Sequence, residues 1–365
     1  MTKKEKKLNL SITNPRVFDA VKLLCALLIA LVITFLVLCL ISKNPVKAFF
    51  TILTGPLSKR RYFGAVIESF IPYAFAGLAA GILFKSGAFN LGAEGIYIIS
   101  GVSVAAVACS SITTSGFLHP ILCVLAAAVT GGVLMIIPSF LKAKFGTNEM
   151  VVSLMLNSIY LGISMYLIRT FLLTKTTSTI GSKDYLPTAK IKYLYEPLRI
   201  SPAFILLIIV TIVLYLVMFK TKLGYQMRLA GANPKFAEYS GISAFKLAII
   251  TAAMAGVLAG TGSAIQLLTQ SSFYQPDKTA TGIGFSGMLL AMLGRNNPIG
   301  IVVASFLIKY LEQGASVLYF SDTSVPSEIV AIVEGIIILL ISSQYFLRGF
   351  REKMLLKEGL KKDAK

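Results

Sequence analysis

Carboxylates set inside apolar stretches are the first residues of this 365-residue chain whose type and position suggest chemistry. Glu94, Glu149, Glu312, Glu328 and Glu334 all lie in or beside long apolar runs. An ionisable group in such a run is costly unless it faces protein or water. Glu149 and Glu328 stand where helices are expected to start or stop, and a helix-end position accounts for them. Glu94 and Glu334 are the stronger functional candidates. No catalytic set accompanies them. A GxxxxGK[ST] phosphate loop is missing, so this chain is not expected to hydrolyse ATP itself. There is no CxxC and no HExxH, and GTGSA at 260–264 is neither a nucleophile elbow nor a dinucleotide loop. His119, the single histidine, precedes Pro120 and reads as a surface or cap residue. One histidine cannot build a His-rich metal site, so no metal and no cofactor are expected. The four cysteines, Cys25, Cys39, Cys109 and Cys123, fall in apolar spans. They read as small buried apolar side chains rather than a disulfide framework.

The elements that must position these residues are set by composition. Hydrophobic residues make up 56% of the chain and charged residues 14%, against about 25% charged in soluble domains. Mean hydropathy is +0.78. The apolar blocks are long enough to cross a hydrocarbon core of about 30 Å, which takes about 20 helical residues. The formal charge of +19 raises nucleic-acid binding as an alternative. The placement of the charge argues against it. Lys3, Lys4, Lys6 and Lys7 crowd one terminus, and Arg348, Arg351, Lys353, Lys357, Lys361, Lys362 and Lys365 the other, each beside an apolar span. That pattern is positive-inside anchoring next to anionic headgroups. The apolar stretch 23–41 is too long for a secretion signal and reads as a retained first helix.

The pattern predicts an all-α polytopic membrane protein of about ten transmembrane helices, some broken or re-entrant. Expected spans lie near 23–41, 66–84, 95–113, 119–141, 150–169, 202–219, 247–268, 284–294, 298–313 and 328–347. An even count puts both termini on one side, and their lysines make that side cytoplasmic. The chain then divides into a basic cytoplasmic segment 1–22, a transmembrane body 23–347 and a basic cytoplasmic tail 348–365. Inner turns carry Lys85, Lys142, Lys144, Lys220, Lys222 and Arg295 as the charge rule requires. Two outer segments run against it: 42–65, with Lys43, Lys47, Lys59, Arg60 and Arg61, and 170–201, with Lys175, Lys183, Lys190, Lys192 and Arg199. A re-entrant or interfacial piece within 46–58 would explain the first.

Glycines within spans, among them Gly77, Gly81, Gly131, Gly132, Gly256, Gly260 and Gly262, let helix backbones approach closely. Polar, glycine-bearing breaks interrupt two spans, FNLGAEG at 89–95 and GFSGMLLAMLGRNNPIG at 284–300. Irregular backbone at membrane depth is tolerated only when buried in protein or lining a cavity, and transporters place such breaks near solute paths. The inner loop 220–246 predicts a helical turn at 226–230, a start signal at Asn233-Pro234, and a short helix from Pro234 to Tyr239 stopped by Gly241. Two readings of this loop stay open: a docking element for a partner, or a solvated loop held to headgroups by Lys220, Lys222, Arg228 and Lys235.

Five segments carry a family resemblance: GILFKSGAFNLGAEGIYIISG (81–101), FGTNEMVVSLMLNSIY (145–160), LGYQMRLAGANPKFAEYSGI (223–242), GIGFSGMLLAMLGRNNPIG (282–300) and VPSEIVAIVEGIIIL (325–339). In these segments the chain resembles a permease of the branched-chain amino acid and simple-sugar ABC importer superfamily, in its nucleoside-uptake branch. The resemblance implies a plasma-membrane subunit that works by alternating access. It implies three partners: an ABC ATPase chain with two nucleotide sites, a second homologous permease and an extracellular substrate-binding lipoprotein. It implies that the 220–246 loop is the coupling segment, with Arg228, Gly231, Asn233, Pro234 and Gly241 as its motif residues. The breaks then line the translocation path, with Asn90, Glu94, Asn148, Asn157, Gln266 and Ser286 as candidates to meet solute. Asparagine in a membrane helix also serves as interhelical glue. A permease for simple sugars such as ribose or galactose, and an ion-coupled secondary transporter using Glu94, are the rival readings.

Overall fold

A computed structural model describes residues 32–40, 44–111, 115–173, 181–276, 282–321 and 335. The segment 1–22, Cys25, the expected span 328–347 apart from residue 335, with Glu328 and Glu334, and the tail 348–365 lie outside them. Among the described residues all regular structure is helical apart from two isolated bridges, Leu173 with Ser182 and Tyr195 with Ile200. The helices are α1 (32–40), α2 (Pro45–Ser58), α3 (Arg60–Lys85), α4 (Ala93–Ala108), α5 (Leu118–Leu134), α6 (Ile136–Phe145), α7 (Glu149–Leu167), α8 (Pro202–Lys220), α9 (Lys222–Ala232), α10 (Pro234–Tyr239), α11 (Ala244–Gln270), α12 (Ile283–Leu293) and α13 (Pro298–Ser321).

Among the described residues, six helical stretches are long and apolar enough to cross a membrane: α3, α5 with α6, α7 with its π-helical extension to Leu172, α8, α11 and α13. They match the expected spans closely. The short apolar helices α4 and α12 account for the spans expected near 95–113 and 284–294. At 1.5 Å per residue, α4 is about 24 Å long and α12 about 16 Å, less than a hydrocarbon core of about 30 Å. Both are therefore part-way helices. α12 fills most of the 284–300 stretch expected to be a break, and the irregular backbone there is confined to 294–297, because its apolar residues 288–293 sustain a helix that buries Met288–Ala291. The region 46–58 is helical, and α3 starts at Arg60, so Arg60 and Arg61 sit in its first turn rather than in an open loop.

Local chemistry sets the ends. Asn148, Thr221, Asn233 and Ser243 accept backbone N–H groups as caps of α7, α9, α10 and α11. Gly87 (φ +80°) and Gly241 (φ +79°) end α3 and α10 in the left-handed region that glycine enters freely. At each, two bonds satisfy the last carbonyls: Gly87 to Phe84 and Ala88 to Leu83, Gly241 to Glu238 and Ile242 to Ala237.

The chain forms two units, one of residues 57–310, the other of 1–56 with 311–365. In the larger, α3 and α11 are central: 83% and 67% of their apolar windows are buried, against 22–28% for α5–α6, α7 and α8. The outer helices turn their remaining apolar faces, such as Ile205, Ile209 and Ile212 of α8, outward. α3 and α11 run antiparallel, with Gly262 against Phe75 and Gln270 against Glu68. Glycine permits the closest crossing. A Cβ on Gly131 of α5 would meet the carbonyl of Gly256 of α11, one on Gly256 the carbonyl of Gly131, and one on Gly260 the carbonyl of Ala127. In the smaller unit, Gly314 of α13 lies against the Ile52 carbonyl of α2, and Phe35 meets Phe49 edge-on.

Candidate functional site

The break between α3 and α4 is an ordered polar junction. Asn90 is 2% exposed. Its Oδ1 accepts the Gly92 N–H at 2.7 Å, and its Nδ2 donates to Glu149 Oε1 at 3.1 Å. Glu149, in the first turn of α7, also accepts Ser139 Oγ at 2.7 Å and Lys142 Nζ at 2.8 Å. The free backbone groups of the break end on α7. Leu91 N–H donates to Ser153 Oγ at 3.0 Å, Gly95 N–H donates to Asn157 Oδ1 at 2.9 Å, and Asn157 Nδ2 donates to the Leu91 carbonyl at 3.0 Å. Irregular backbone thus finds partners inside protein, as a membrane requires. Ser153 and Asn157 are four apart, so they share the α7 face that meets the break.

The start of α12 joins this junction at Glu94. This residue sits in the first turn of α4, and its Oε1 accepts the Gly282 N–H, just before α12, at 3.1 Å. A Cβ on Gly284 would come within 2.6 Å of Glu94 Cβ, so the starts of α4 and α12 abut. A carboxylate is favoured there because both helix N-termini carry partial positive charge. Both starts carry glycines three apart, Gly92 and Gly95 on one and Gly284 and Gly287 on the other.

The candidate path residues therefore separate. Asn90, Glu94 and Asn157 come together at the junction; Asn157 is spent on backbone groups, and Asn90 on the Gly92 N–H and the Glu149 carboxylate. Ser286 is half-buried in the first turn of α12. Asn148 is exposed and caps α7 through Met150 and Val151, apart from the junction. Gln266 lies on α11 with Oε1 buried and without a hydrogen-bond partner. Glu149 does more than a helix-end residue would: it is 4% exposed and joins three side chains.

At one end of the larger unit, α9 and α10 form the compact pair expected from the sequence. Arg228 turns inward. Its guanidinium donates to the Met218 carbonyl near the end of α8 and lies 5.5 Å from the centre of the Phe219 ring. Lys85 approaches the same ring at 5.9 Å. Both cations stand where helix C-termini favour positive charge. Gly231 lies against the Lys85 carbonyl, which a Cβ there would strike. The groups turned outward are Asn233, Pro234, Phe236, Tyr239 and Gly241, with Tyr239 91% exposed and Phe236 55% exposed.

At the opposite end, residues 181–201 are fastened to the helix ends. Pro72 has no N–H to give the Glu68 carbonyl one turn earlier, and Gln270 Nε2 supplies the missing donor at 3.2 Å. The Glu68 carboxylate takes Arg199 at 2.6 Å and the Tyr193 hydroxyl at 2.6 Å. Burial first, then the bond to Glu68, push the Tyr193 phenol up to about 12, so it stays a donor near neutrality. Arg199 thus has a partner, which tempers the charge conflict of the 170–201 segment. Glu68 was overlooked although it interrupts an apolar run, the signal used for the other carboxylates. His119 corrects another expectation: it is fully buried, bonded to Thr188 Oγ1 at 2.9 Å and to the Val107 carbonyl at 3.0 Å. The Thr188 contact crosses 69 residues and has no local sequence signal. Cys39 is likewise exposed rather than buried.

Known proteins place this architecture. The chain is 28% identical over 333 residues to the guanosine ABC transporter permease protein NupP of Bacillus subtilis, covering 91% of this chain and 95% of that one. It is 29% identical over 332 residues to the nucleoside ABC transporter permease protein NupB of Lactococcus lactis, covering 88% and 91%. The glucose ABC transporter permease protein TsgB13 of Haloferax volcanii is 27% identical over 332 residues, covering 88% of this chain and 87% of that one. No solved structure matches. Apolar spans and this kinship identify a multi-pass protein of the plasma membrane. Residues 62–342, most of the chain and all of the junction between its half-length helices, match the family of branched-chain amino acid transport system permease components, and the chain belongs to that family.

Proposed function

We propose that this chain is the membrane-spanning permease of an ATP-driven importer for nucleosides. The observation that carries the reading is similarity along nearly the whole chain to permeases named for guanosine and nucleosides. ATP is hydrolysed by a separate ABC ATPase chain with two nucleotide sites. A second homologous permease completes the membrane domain, and an extracellular lipoprotein delivers the solute. About ten spans, counting those outside the described residues, put both termini in the cytoplasm. The transmembrane permease body is then 23–347, between the basic cytoplasmic segments 1–22 and 348–365.

The 220–246 segment is the coupling loop, and its residues divide the work. Asn233 and Pro234 build α10, Gly241 ends it, and Phe236 and Tyr239 are the aromatic groups that seat in the ATPase. Arg228 and Gly231 bind the loop to the permease itself. Glu94 and Ser286, at the meeting of two part-way helices, are the first candidates to meet solute; Gln266 adds an amide with a free acceptor. Asn90 and Asn157 shape the path from behind. A nucleoside needs polar partners for its ribose hydroxyls, and Glu94, Ser286 and Gln266 are the side chains of that kind.

The test is uptake of radiolabelled nucleosides into proteoliposomes that hold the chain with its co-purifying membrane and ATPase subunits and the matching binding protein. ATP-dependent accumulation, competed by unlabelled nucleosides, is the expected result. ATPase activity stimulated only by a sugar-loaded binding protein would transfer the chain to sugar transport, which the similarity to the glucose permease favours as the second reading. Flux without ATP through this chain alone would overturn the importer reading.

A further inference from the structure

We infer that the backbone contact between Gly87 and Gly231 is the point where motion of the coupling loop enters the translocation path. The inference rests on the reading of 220–246 as the ATPase-docking loop. Gly231 stands near the end of α9. A Cβ there would strike the Lys85 carbonyl and come within 3.2 Å of the Gly87 nitrogen. A Cβ on Gly87 would come within 3.1 Å of Gly231 Cα. Backbone meets backbone, with no flexible side chain between them to absorb a displacement. Gly87 is itself held by the two bonds that end α3.

Three residues further on, the chain reaches Asn90 and the lock on Glu149. Leu91 and Gly95 are tied to Ser153 and Asn157 of α7. The same short segment then ends at Glu94, whose carboxylate holds the Gly282 N–H before α12. From Asn90 to Glu94 the break is thus braced by polar partners on α7 and before α12. The end of α3, the break and the start of α4 act as one strut against α7. A push on α9 emerges where Glu94 meets α12. Close-packed interiors transmit such displacements rather than absorbing them. Gly87 and Gly231 are positioning residues in this arrangement and touch no solute.

The experiment compares Gly231→Ala with Gly162→Ala in the assembled transporter, reading nucleoside uptake per ATP hydrolysed. Gly162 lies within α7 with open space around it, so Gly162→Ala controls for a methyl added to a helix away from the contact. Gly231→Ala should retain the ATPase on size-exclusion chromatography and hydrolyse ATP, yet lose at least fivefold in uptake per ATP. Gly162→Ala should keep that ratio. An unchanged ratio in Gly231→Ala overturns the inference. Loss of the ATPase from Gly231→Ala overturns it too, by moving Gly231 into the docking surface, and leaves the docking reading intact. Failure of the unaltered chain to hold an ATPase would sink the docking reading itself. A second measurement needs no variant. Trapping the intact transporter with a non-hydrolysable ATP analogue should change deuterium uptake of the peptide covering Gly282–Gly287 at least twofold, and no change there overturns the strut.

Discussion

Glu149→Ala should be among the most damaging single substitutions in the larger unit, and the structure supplies its size. The carboxylate accepts from Ser139, Asn90 and Lys142 at 2.7, 3.1 and 2.8 Å. Ser139 and Asn90 are 1% and 2% exposed, so water cannot replace the lost acceptor without rearrangement. A hydrogen bond to a charged group contributes about 1.5–3 kcal/mol. Lys142 has a side chain 42% exposed and can turn to solvent, which limits its ion pair to under about 1 kcal/mol. Asn90 keeps its bond from Gly92, which softens the loss. The expected cost is about 3–5 kcal/mol, set by the two buried hydrogen bonds to the charged group less that softening. Glu149→Gln keeps an oxygen for the buried donors and should cost about 1–2 kcal/mol. The chain has no tryptophan, so unfolding is better followed as the fraction left in the monodisperse size-exclusion peak after heating in detergent. The midpoints should fall in the order native, Gln, Ala. Asn90→Ala combined with Glu149→Ala should cost less than the sum of the two. A native midpoint for Glu149→Ala, or strict additivity with Asn90→Ala, would refute the lock.

Gly256→Val should prevent the α5–α11 crossing, because its side chain would occupy the place of the Gly131 carbonyl; loss of the monodisperse peak checks it. Arg199→Ala should leave Glu68 buried with one donor fewer and loosen 181–201, read as faster proteolysis of that segment in right-side-out vesicles. Tyr193→Phe should cost about 1 kcal/mol. Because the folded phenol is raised to about 12, the difference from the native chain should be full below about pH 10 and fade between pH 10 and 12. Replacing Phe236 and Tyr239 together with alanine should weaken ATPase retention at least tenfold in co-purification while leaving the permease midpoint unchanged, since both side chains are exposed.

What the sequence disclosed and what it withheld divide along the range of the interactions. The spans, the helix start at Asn233 and the stop at Gly241 are local events, written in apolar length and in residues that serve backbone groups within three or four positions. They could be placed without knowing any neighbour. The resemblance carried by five segments pointed to the family, and the match over 62–342 bears it out. The junction was legible as a place but not as an arrangement. A polar, glycine-bearing break announces that backbone must find partners, yet it does not say which helix supplies them. Asn90 and Glu149 are 59 residues apart, and Glu94 and Gly282 are 188 apart. The same blindness affects charge. Arg228 reads as a group for a partner or a headgroup because it sits in a basic loop, whereas the end of α8 and the ring of Phe219 turn it inward. A carboxylate or guanidinium in an apolar protein marks a demand for a partner. Only the packing of the helices decides whether another helix, a solute or an ATPase meets it.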